Sequence, residues 1–353
     1  MITMEELLAL LVRQGGSDLH ISLNSPPRIR VDGMLLPVDC PPLSPEDTRR
    51  LATSVLTSDQ IAKLDRELEL DCSFGLADQG RFRANVFFQQ GSVAAVMRLI
   101  PTKIATFDQL GLSKAVCERI CALRSGLVLV TGATGSGKST SLASMIHHIN
   151  STRQGHIVTI EDPLEFVHKD QLSYLSQREL GIDTKDFGHA LRAMLRQAPD
   201  VILIGEMRDP DTMSIAMQAG ETGHLVFSTV HTSSAYETMD RIVNMFPPHE
   251  KGHLCQRLSG ALRSVISQKL VPRADGNGRV AVNEILICTP TVSKLIEDGH
   301  FSDLYHAMNE GTFWGMQTMN QGLVRFVKAG VITEEHALQY SSISSELKQM
   351  LRR

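Results

Sequence analysis

The segment Gly132–Ser139 constrains the fold of this chain more than any other part of its sequence. It reads Gly-Ala-Thr-Gly-Ser-Gly-Lys-Ser, follows the apolar run 127–131 and leads into 142–149, which has the apolar spacing of an amphipathic helix. This order of strand, loop and helix is the setting that a G-x-x-x-x-G-K-[ST] phosphate loop requires. Its glycines let successive backbone N–H groups converge on a phosphate, and the helix N-terminus adds a positive dipole. The sequence therefore predicts a nucleoside-triphosphate site.

Two side chains of this loop have a defined chemistry when the segment binds a nucleotide. Lys138 is expected to reach the β- and γ-phosphates, and the hydroxyl of Ser139 is expected to bind Mg²⁺. ATP and Mg²⁺ are therefore the predicted ligand and cofactor. The residues expected to contact them are Gly132, Thr134, Gly135, Ser136, Gly137, Lys138, Ser139 and Thr140.

Composition narrows the class of protein. The chain has 353 residues, 42% of them hydrophobic and 21% charged, which is ordinary for a globular protein of two or three domains. A net charge of −4 gives no overall basic field, so neither nucleic acid nor a membrane surface is an expected partner. Residues 1–6 lack the parts of a signal peptide, and no apolar run approaches the roughly 18 residues of a spanning helix. We expect a cytoplasmic protein that meets a membrane only through a partner.

Residues 1–100 have the pattern of a small α+β domain. An apolar helix face at 7–11 is followed by two strand-like segments around Asp32-Gly33, a pair of residues typical of a hairpin turn. Ser44 then precedes a proline and two acids, which is the pattern of a capped helix start. Further strand-like segments complete the domain, and residues 101–110 are expected to be a linker.

The pattern changes at about residue 111. From 111 to 270, short apolar segments alternate with helical ones, which predicts a parallel sheet covered by helices on both faces. The strands are expected at Leu127–Thr131, Ile157–Ile160, Val201–Ile204 and Leu225–Val230. Residues 271–353 are expected to be mostly helical, with one strand pair around 278–287. The predicted fold class is α/β, with ligands bound at the carboxyl edge of the sheet.

Acidic residues follow two of these expected strands. Glu206 comes after the third strand, where a carboxylate can reach Mg²⁺ across the sheet from the phosphate loop. Glu161, Asp162 and Glu165 follow the second strand, and one of them would deprotonate the attacking water. Spacing alone does not choose among these three acids.

Histidines and arginines are the remaining candidates. His224 and His231 stand at opposite ends of the fourth strand, so they cannot both contact one phosphate. His231 lies at the carboxyl edge, where it would sense a γ-phosphate or tether the sheet to a loop, whereas for His224 a structural hydrogen bond is an alternative of at least equal weight. Arg83 and Arg98 carry planar, permanently charged groups that suit a triphosphate, and an exposed basic surface is the alternative for both.

Taken together, these segments resemble the motifs of the type II/IV secretion ATPases. Their order and spacing behind the phosphate loop match those of the family. The matching segments are Thr159–Phe166 (the Asp box), Leu195–Asp200 (the arginine helix), Ile204–Asp209 (the Walker B motif) and Thr222–Thr232 (the His box). Ser17–His20 and Gly80–Arg83 resemble the amino-terminal domain of the PilT-type, or pilus retraction, branch.

The resemblance implies an architecture and a set of residue roles. It implies a homohexamer whose subunits join a RecA-like ATPase domain to a smaller PAS-like amino-terminal domain, with ATP between them. Rotation of the domains would transmit force to an inner-membrane pilus platform protein. By motif position, the implied roles are those of a general base (Glu165), a Walker B acid at Mg²⁺ (Glu206), the His box (His224 and His231), arginines that reach the γ-phosphate (Arg83 and Arg98) and a further functional arginine (Arg241).

Two departures bear on the branch of the family. The chain lacks the four-cysteine zinc module of assembly and secretion ATPases, which favours retraction. Thr291–Asp298, however, stands where the retraction branch has Ala-Ile-Arg-Asn-Leu-Ile-Arg-Glu, and it keeps the apolar positions without the arginines. We predict a motor for type IV pilus retraction. The alternatives are an accessory paralogue that acts as an adaptor of a second retraction ATPase, an assembly or secretion ATPase, and a nucleic-acid translocase.

Overall fold

The chain folds into two units that differ in the kind of sheet they contain. The structure is a computed structural model that describes residues 2–31, 33–77 and 79–352. The first unit extends to Lys103 and includes Glu165–Val167, and the second contains residues 104–164 and the chain from His168 onward. No helix within the described ranges combines the length and apolar character needed to cross a bilayer.

The first unit is built on a six-stranded antiparallel sheet. Its elements are α1 (Met4–Arg13), β1 (Asp18–Ile21), β2 (Arg28–Val31), β3 (Met34–Pro37), α2 (Pro45–Thr53), α3 (Ser58–Glu67), β4 (Glu69–Leu76), β5 (Gly80–Gln89) and β6 (Ser92–Ile100). The strand order is β3-β2-β1-β6-β5-β4, and neighbouring strands pair antiparallel. In β5, Phe82, Ala84 and Val86 are buried and alternate with the exposed Arg83, as expected of a strand with one face on a core.

Local sequence fixes the ends of two predicted elements in this unit. Ser44 accepts a hydrogen bond from a backbone N–H of the first turn of α2, and Pro45 is the first helical residue. Val31 of β2 pairs with Met34 of β3, so the predicted hairpin is confirmed, whereas Asp32 lies outside the described residues. The predicted helix start at Ser44 is confirmed as well.

The second unit alternates strands and helices before it becomes mostly helical. The elements around its sheet are α4 (Phe107–Leu110), α5 (Lys114–Cys121), β7 (Gly126–Thr131), α6 (Lys138–Thr152), β8 (His156–Glu161), β9 (Tyr174–Glu179), α7 (Phe187–Met194), β10 (Val201–Ile204), α8 (Pro210–Glu221), β11 (Leu225–Val230), α9 (Ala235–Asn244), α10 (Lys251–Ala261), β12 (Leu262–Pro272) and β13 (Arg279–Ile287). The helices after them are α11 (Pro290–Glu297), α12 (Leu304–Glu310), α13 (Met319–Lys328), α14 (Glu334–Tyr340) and α15 (Ser344–Leu351).

A seven-stranded sheet is the centre of this unit, in the order β13-β12-β7-β11-β10-β8-β9. All neighbours are parallel except β12 and β13. In β7, Leu127 and Leu129 belong to one buried cluster and Val128 and Val130 to another, so helices cover both faces. Because neither face meets water, the strand is apolar throughout, as the sequence indicated. The predicted α/β fold class is confirmed.

Elements with weak apolar patterns were not predicted. β9 carries the sequence Tyr-Leu-Ser-Gln-Arg-Glu, is an edge strand and is only partly buried. α3 contributes a single buried residue, Leu64, to its core. The strand pair predicted around 278–287 is wrong in its position, because that range holds one strand, β13, whose partner β12 begins at Leu262, inside the segment assigned to the ATPase domain.

Helix α11 contains residues 291–297 of the altered segment, and Asp298 is its C-cap. Val292 and Ile296 are fully buried, so the conserved apolar spacing packs as predicted. Lys294, on the exposed side, forms ion pairs with Glu297 and Asp298. The helix therefore keeps its place in the core, although its surface charges differ from those of the retraction branch.

Candidate nucleotide-binding site

The sheet brings the sequence motifs to one edge of the second unit. β7, β11, β10 and β8 are neighbours in that order and run parallel, so their carboxyl ends lie side by side. The phosphate loop follows β7, His231 follows β11, and Glu206 stands two residues beyond β10. The acidic segment begins at Glu161, the last residue of β8. The motifs thus meet where the sequence predicted.

The phosphate loop has the backbone that its glycines require. Gly132, Gly135 and Gly137 have φ values of +146°, +77° and +88°, a region that favours glycine. Gly137 occupies the N-cap position of α6, and Lys138 is the first residue of that helix. This backbone forms the positive concavity at a helix N-terminus that binds phosphate.

Lys138 reaches back over this loop. Its Nζ donates to the carbonyl oxygens of Gly132 and Ala133, each at 2.9 Å, and the residue is buried. The ammonium group is attracted more strongly to the full negative charge of phosphate oxygens than to the partial charge of these carbonyls. The ammonium group is therefore placed to exchange the two carbonyls for a phosphate.

Glu206 and His231 lie together among charged residues. The Nε2 of His231 is 3.6 Å from one carboxylate oxygen of Glu206, and Arg208 contacts the other oxygen. Arg241 donates from Nη1 to the carbonyl oxygen of His231 at 2.8 Å. Burial, and after it the positive charge of Lys138, lowers the pKa of His231 below its ordinary value, while Glu206 acts in the opposite direction. The lowered pKa favours the neutral form of the imidazole near pH 7.

Ser139 and Glu206 suit the Mg²⁺ ion that the phosphate loop implies. The side chain of Glu206 is only 13% exposed, with Arg208 against one carboxylate oxygen and His231 nearest the other. Ser139 is the second residue of α6 and so lies at the phosphate end of the helix. One hydroxyl and one carboxylate, completed by water and phosphate oxygens, form a set of ligands that Mg²⁺ accepts.

A cavity of about 390 Å³ adjoins the phosphate loop, a volume within the usual range for small-ligand pockets. Residues Gly132–Ser136 form one wall. The rest of the lining comes from Ser233, Gln268, Lys269, Leu270, Arg279 and Gln339–Ser341. The lining residues outside the phosphate loop were not predicted, because they belong to no motif and come from distant parts of the chain.

The start of the acidic segment, at the end of β8, packs against Gly205, the residue before Glu206. The backbone N–H of Gly205 donates to the carbonyl oxygen of Ile160 at 2.8 Å, and a side chain at Gly205 would come within 3.3 Å of the Cα of Glu161. Glycine is therefore needed where the two strands end. Asp162 and Glu165 are exposed, and Glu165 groups with the first unit. The choice of general base among these acids stays a prediction.

His224 lies at the other end of β11 from His231. Its Nδ1 is 3.1 Å from the carbonyl oxygen of Ala219, near the end of α8. At about 3.3 Å per residue, the strand separates the two histidines by roughly 20 Å. This contact is the structural hydrogen bond that was the alternative for His224, and its assignment to nucleotide binding stays a prediction.

A row of charged residues crosses the sheet of the first unit. Arg83 pairs with Arg98, Arg98 with Asp18, and Asp18 with Arg30, so the four side chains project from one face. Asp18 is buried and accepts from the Nε of Arg98 at 2.7 Å, and it is 3.4 Å from the Nε of Arg30. The side chain of Arg98 is 70% exposed. Its outer nitrogens therefore remain accessible while Asp18 fixes its direction.

Asp18→Asn is expected to lower the stability of the protein by about 1 kcal/mol, because the neutral amide removes the buried negative charge that pairs with Arg98 and Arg30. Burial by itself raises the pKa of Asp18, but the hydrogen bonds from Arg98 and Ser17 and the nearby arginines bring it below the ordinary value of 3.8. A carboxyl group with a lowered pKa stabilises the fold above that value and stops doing so as the pH falls through the folded pKa.

The effect of Asp18→Asn on the unfolding midpoint should therefore be equal at pH 7 and pH 5 and should shrink below about pH 4. Thermal unfolding of the full chain at each pH measures it. Asp71→Asn is the matched control, since Asp71 is an exposed acid of the same sheet. A midpoint that is unchanged at pH 7 would contradict this role of Asp18.

Comparison with known proteins tests the assignment. The family described as type II/IV secretion system protein matches residues 2–349. A Pseudomonas aeruginosa protein named type IV pilus retractation ATPase PilT is 45% identical over 338 residues, or 96% of this chain and 98% of that protein. Another from the same organism, type IV pilus ATPase PilU, is 41% identical over 350 residues, or 99% and 91%. A crystal structure of the pilus retraction motor PilT with bound ADP superposes with a TM-score of 0.92 at 45% identity, covering 99% and 100%.

Fold and site together define a P-loop nucleotide-binding protein of the ATPase class, with its phosphate loop at the carboxyl edge of a parallel sheet. The match over nearly the whole chain then places it more narrowly. The protein belongs to the type II/IV secretion system protein family, in the PilT-type branch that the motifs indicated.

Proposed function

We propose that this protein is an ATP-hydrolysing motor of type IV pilus retraction, which works as a cytoplasmic homohexamer on an inner-membrane pilus platform protein. The observation that carries the proposal is the cluster of Lys138, Glu206 and His231 beside the phosphate loop. Relatives that match this chain over nearly its whole length and are named for pilus retraction support it.

Binding of ATP begins at the phosphate loop. The backbone N–H groups of Gly132–Ser139 hold the β-phosphate, and Lys138 exchanges its two carbonyl partners for phosphate oxygens. Ser139 and Glu206 would hold Mg²⁺, which would supply positive charge to the phosphate oxygens. His231 donates a hydrogen bond toward the γ-phosphate, while Arg241 holds its backbone in place.

Hydrolysis requires a base for the attacking water and cations for the charge that builds on the γ-phosphoryl group. Glu165 takes the proton from water, and Arg83 and Arg98 stabilise the transferred group. A rotation of the two domains that follows hydrolysis moves the platform protein. The homohexamer, the platform protein and these three residue roles come from the resemblance to the family.

Complementation of a deletion strain tests the motor function in the cell. A strain that lacks this gene but keeps every related motor should regain pilus retraction with the native chain and not with Lys138→Ala, since the variant lacks the ammonium group that holds the phosphates. The measurement is the fraction of labelled, extended pili that retract. Lys114→Ala, at an exposed lysine of α5, is the control and should restore retraction. Native-like retraction with Lys138→Ala would contradict the proposal.

A second candidate function is an accessory ATPase that acts as an adaptor of another retraction motor. The observation in its favour is α11, where Ser293 and Glu297 stand at the two arginine positions of the retraction branch. Lys294 forms ion pairs with Glu297 and with Asp298, which caps the helix. The likeness to a PilU protein also favours it. In that case the deletion strain would lose retraction only when the sister motor is weakened. Polynucleotide-stimulated hydrolysis would instead point to a nucleic-acid translocase.

A further inference from the structure

Gln268 of β12 connects the phosphate loop to the first turns of α6. Its Nε2 donates to the carbonyl oxygen of Ser136 at 2.7 Å, and its Oε1 accepts from the hydroxyl of Ser141 at 2.8 Å. Gln268 is only 2% exposed and Ser141 is buried as well. Both ends of the buried amide are thus satisfied, and the bond from Ser141 decides which end faces the loop.

The phosphate loop packs closely against Gln268 of β12 at two of its glycines. A side chain at Gly132 would come within 2.5 Å of the carbonyl oxygen of Gln268, and one at Gly137 within 2.7 Å of its Nε2. Two glycines of the phosphate loop therefore serve a close approach to this residue as well as a positive φ. Gln268 is separated by about 130 residues from the loop it touches, so no sequence motif includes it.

We propose that Gln268 is a positioning residue that orients the loop for the β-phosphate. A peptide unit is planar and trans, so the N–H of Gly137 points away from the carbonyl oxygen of Ser136. Holding that carbonyl toward β12 therefore directs the N–H of Gly137 to the opposite side, into the phosphate concavity. The hydroxyl of Ser141 keeps the amide of Gln268 from turning over. This inference rests on the proposed nucleotide site and adds a residue to it.

Nucleotide affinity of the purified full chain tests the inference, with N-methylanthraniloyl-ADP as the fluorescent probe. Gln268→Met fills a similar volume without either hydrogen bond, and Gln268→Glu keeps an acceptor for Ser141 but turns an oxygen toward the Ser136 carbonyl. Each is expected to raise the Kd about tenfold, the effect of one buried hydrogen bond. KM for ATP should rise with it and kcat should change little, because the loop binds ground state and transition state alike.

Two further variants separate orientation of the loop from general stability. Ser141→Ala should raise the Kd about threefold. The double variant Gln268→Met with Ser141→Ala should bind the probe no more weakly than Gln268→Met alone, because both substitutions remove the same hydrogen-bonded support of the loop. Ser264→Ala is the matched control: its buried hydroxyl, on the same strand, donates to the carbonyl oxygen of Leu286. That variant should lose thermal stability and keep the native Kd.

The results distinguish a failure of the positioning role of Gln268 from a failure of the proposed nucleotide-binding function. Native Kd in Gln268→Met and Gln268→Glu, with a lowered unfolding temperature, would overturn the positioning role and leave the nucleotide site intact. Should Gln268→Met fail to fold, the Kd values of Gln268→Glu and Ser141→Ala give the same decision. Absence of probe binding to the native chain would overturn the proposed function itself, and the positioning role with it.

Discussion

Arg98→Ala is expected to lower kcat for ATP by about 10³-fold or more, the effect of an arginine that stabilises the charge on a transferred phosphoryl group. The structure holds this arginine through its Nε on Asp18, with most of the side chain exposed. The outer edge of the guanidinium is therefore directed outward, which suits bidentate contact with phosphate oxygens. Arg83, its partner across β5 and β6, is expected to show a loss of the same order.

The matched control for Arg98→Ala is Arg30→Ala. Arg30 lies in the same row and on the same carboxylate, so its removal changes the local charge and the packing in a similar way. It is not among the arginines that the family resemblance assigns to the γ-phosphate. The measurement is the rate of phosphate release by each variant in a single turnover. Equal losses for Arg30→Ala and Arg98→Ala would show that net charge, rather than contact with the phosphate, accounts for the effect.

Glu165→Gln is expected to reduce ATP turnover by about 10²–10⁴-fold while ATP binds nearly as tightly as to the native chain. The amide has the size of the carboxylate but cannot accept the proton of the attacking water. Steady-state phosphate release together with the Kd of a fluorescent ATP analogue measures both effects. A loss in kcat without a loss of affinity is the pattern of a group that acts only in the transition state.

Glu161→Gln and Asp162→Asn are the controls, because both acids belong to the same acidic segment, Glu161 at the end of β8 and Asp162 directly after it. Sequence spacing left all three acids open, and the family resemblance selects Glu165. If Glu165→Gln hydrolyses ATP at the native rate and one of the other two variants does not, the general base is that other acid. If the inactive variant still binds ATP tightly, that result supports the predicted role of the phosphate loop in ATP binding.

Local patterns explain which parts of the fold were predictable. β7 is apolar at every position because both of its faces are buried, and Gly132–Ser139 follows it with glycines where the backbone needs positive φ. These signals lie within about twenty residues of one another. β9 and α3 contribute little to a core, so selection for apolar spacing is weak there and no pattern announced them.

The site was predictable to the same extent. Lys138, Glu206 and His231 could be found because each ends or follows a strand whose position the sequence shows. Gln268 and Asp18 could not, because the first meets the phosphate loop from a distant strand and the second meets Arg98 across 80 positions of the sequence. Such contacts depend on the order of strands in a sheet, which spacing along the chain does not record.

Phosphate release by the purified native chain, measured with ATP and Mg²⁺ beside Lys138→Ala, tests the central claim most directly. The account predicts sustained turnover by the native protein and none above background by the variant, because the phosphate loop is the site of hydrolysis. A native chain that binds ATP without turning it over, or a Lys138→Ala chain that hydrolyses it at the native rate, would contradict the assignment of a motor.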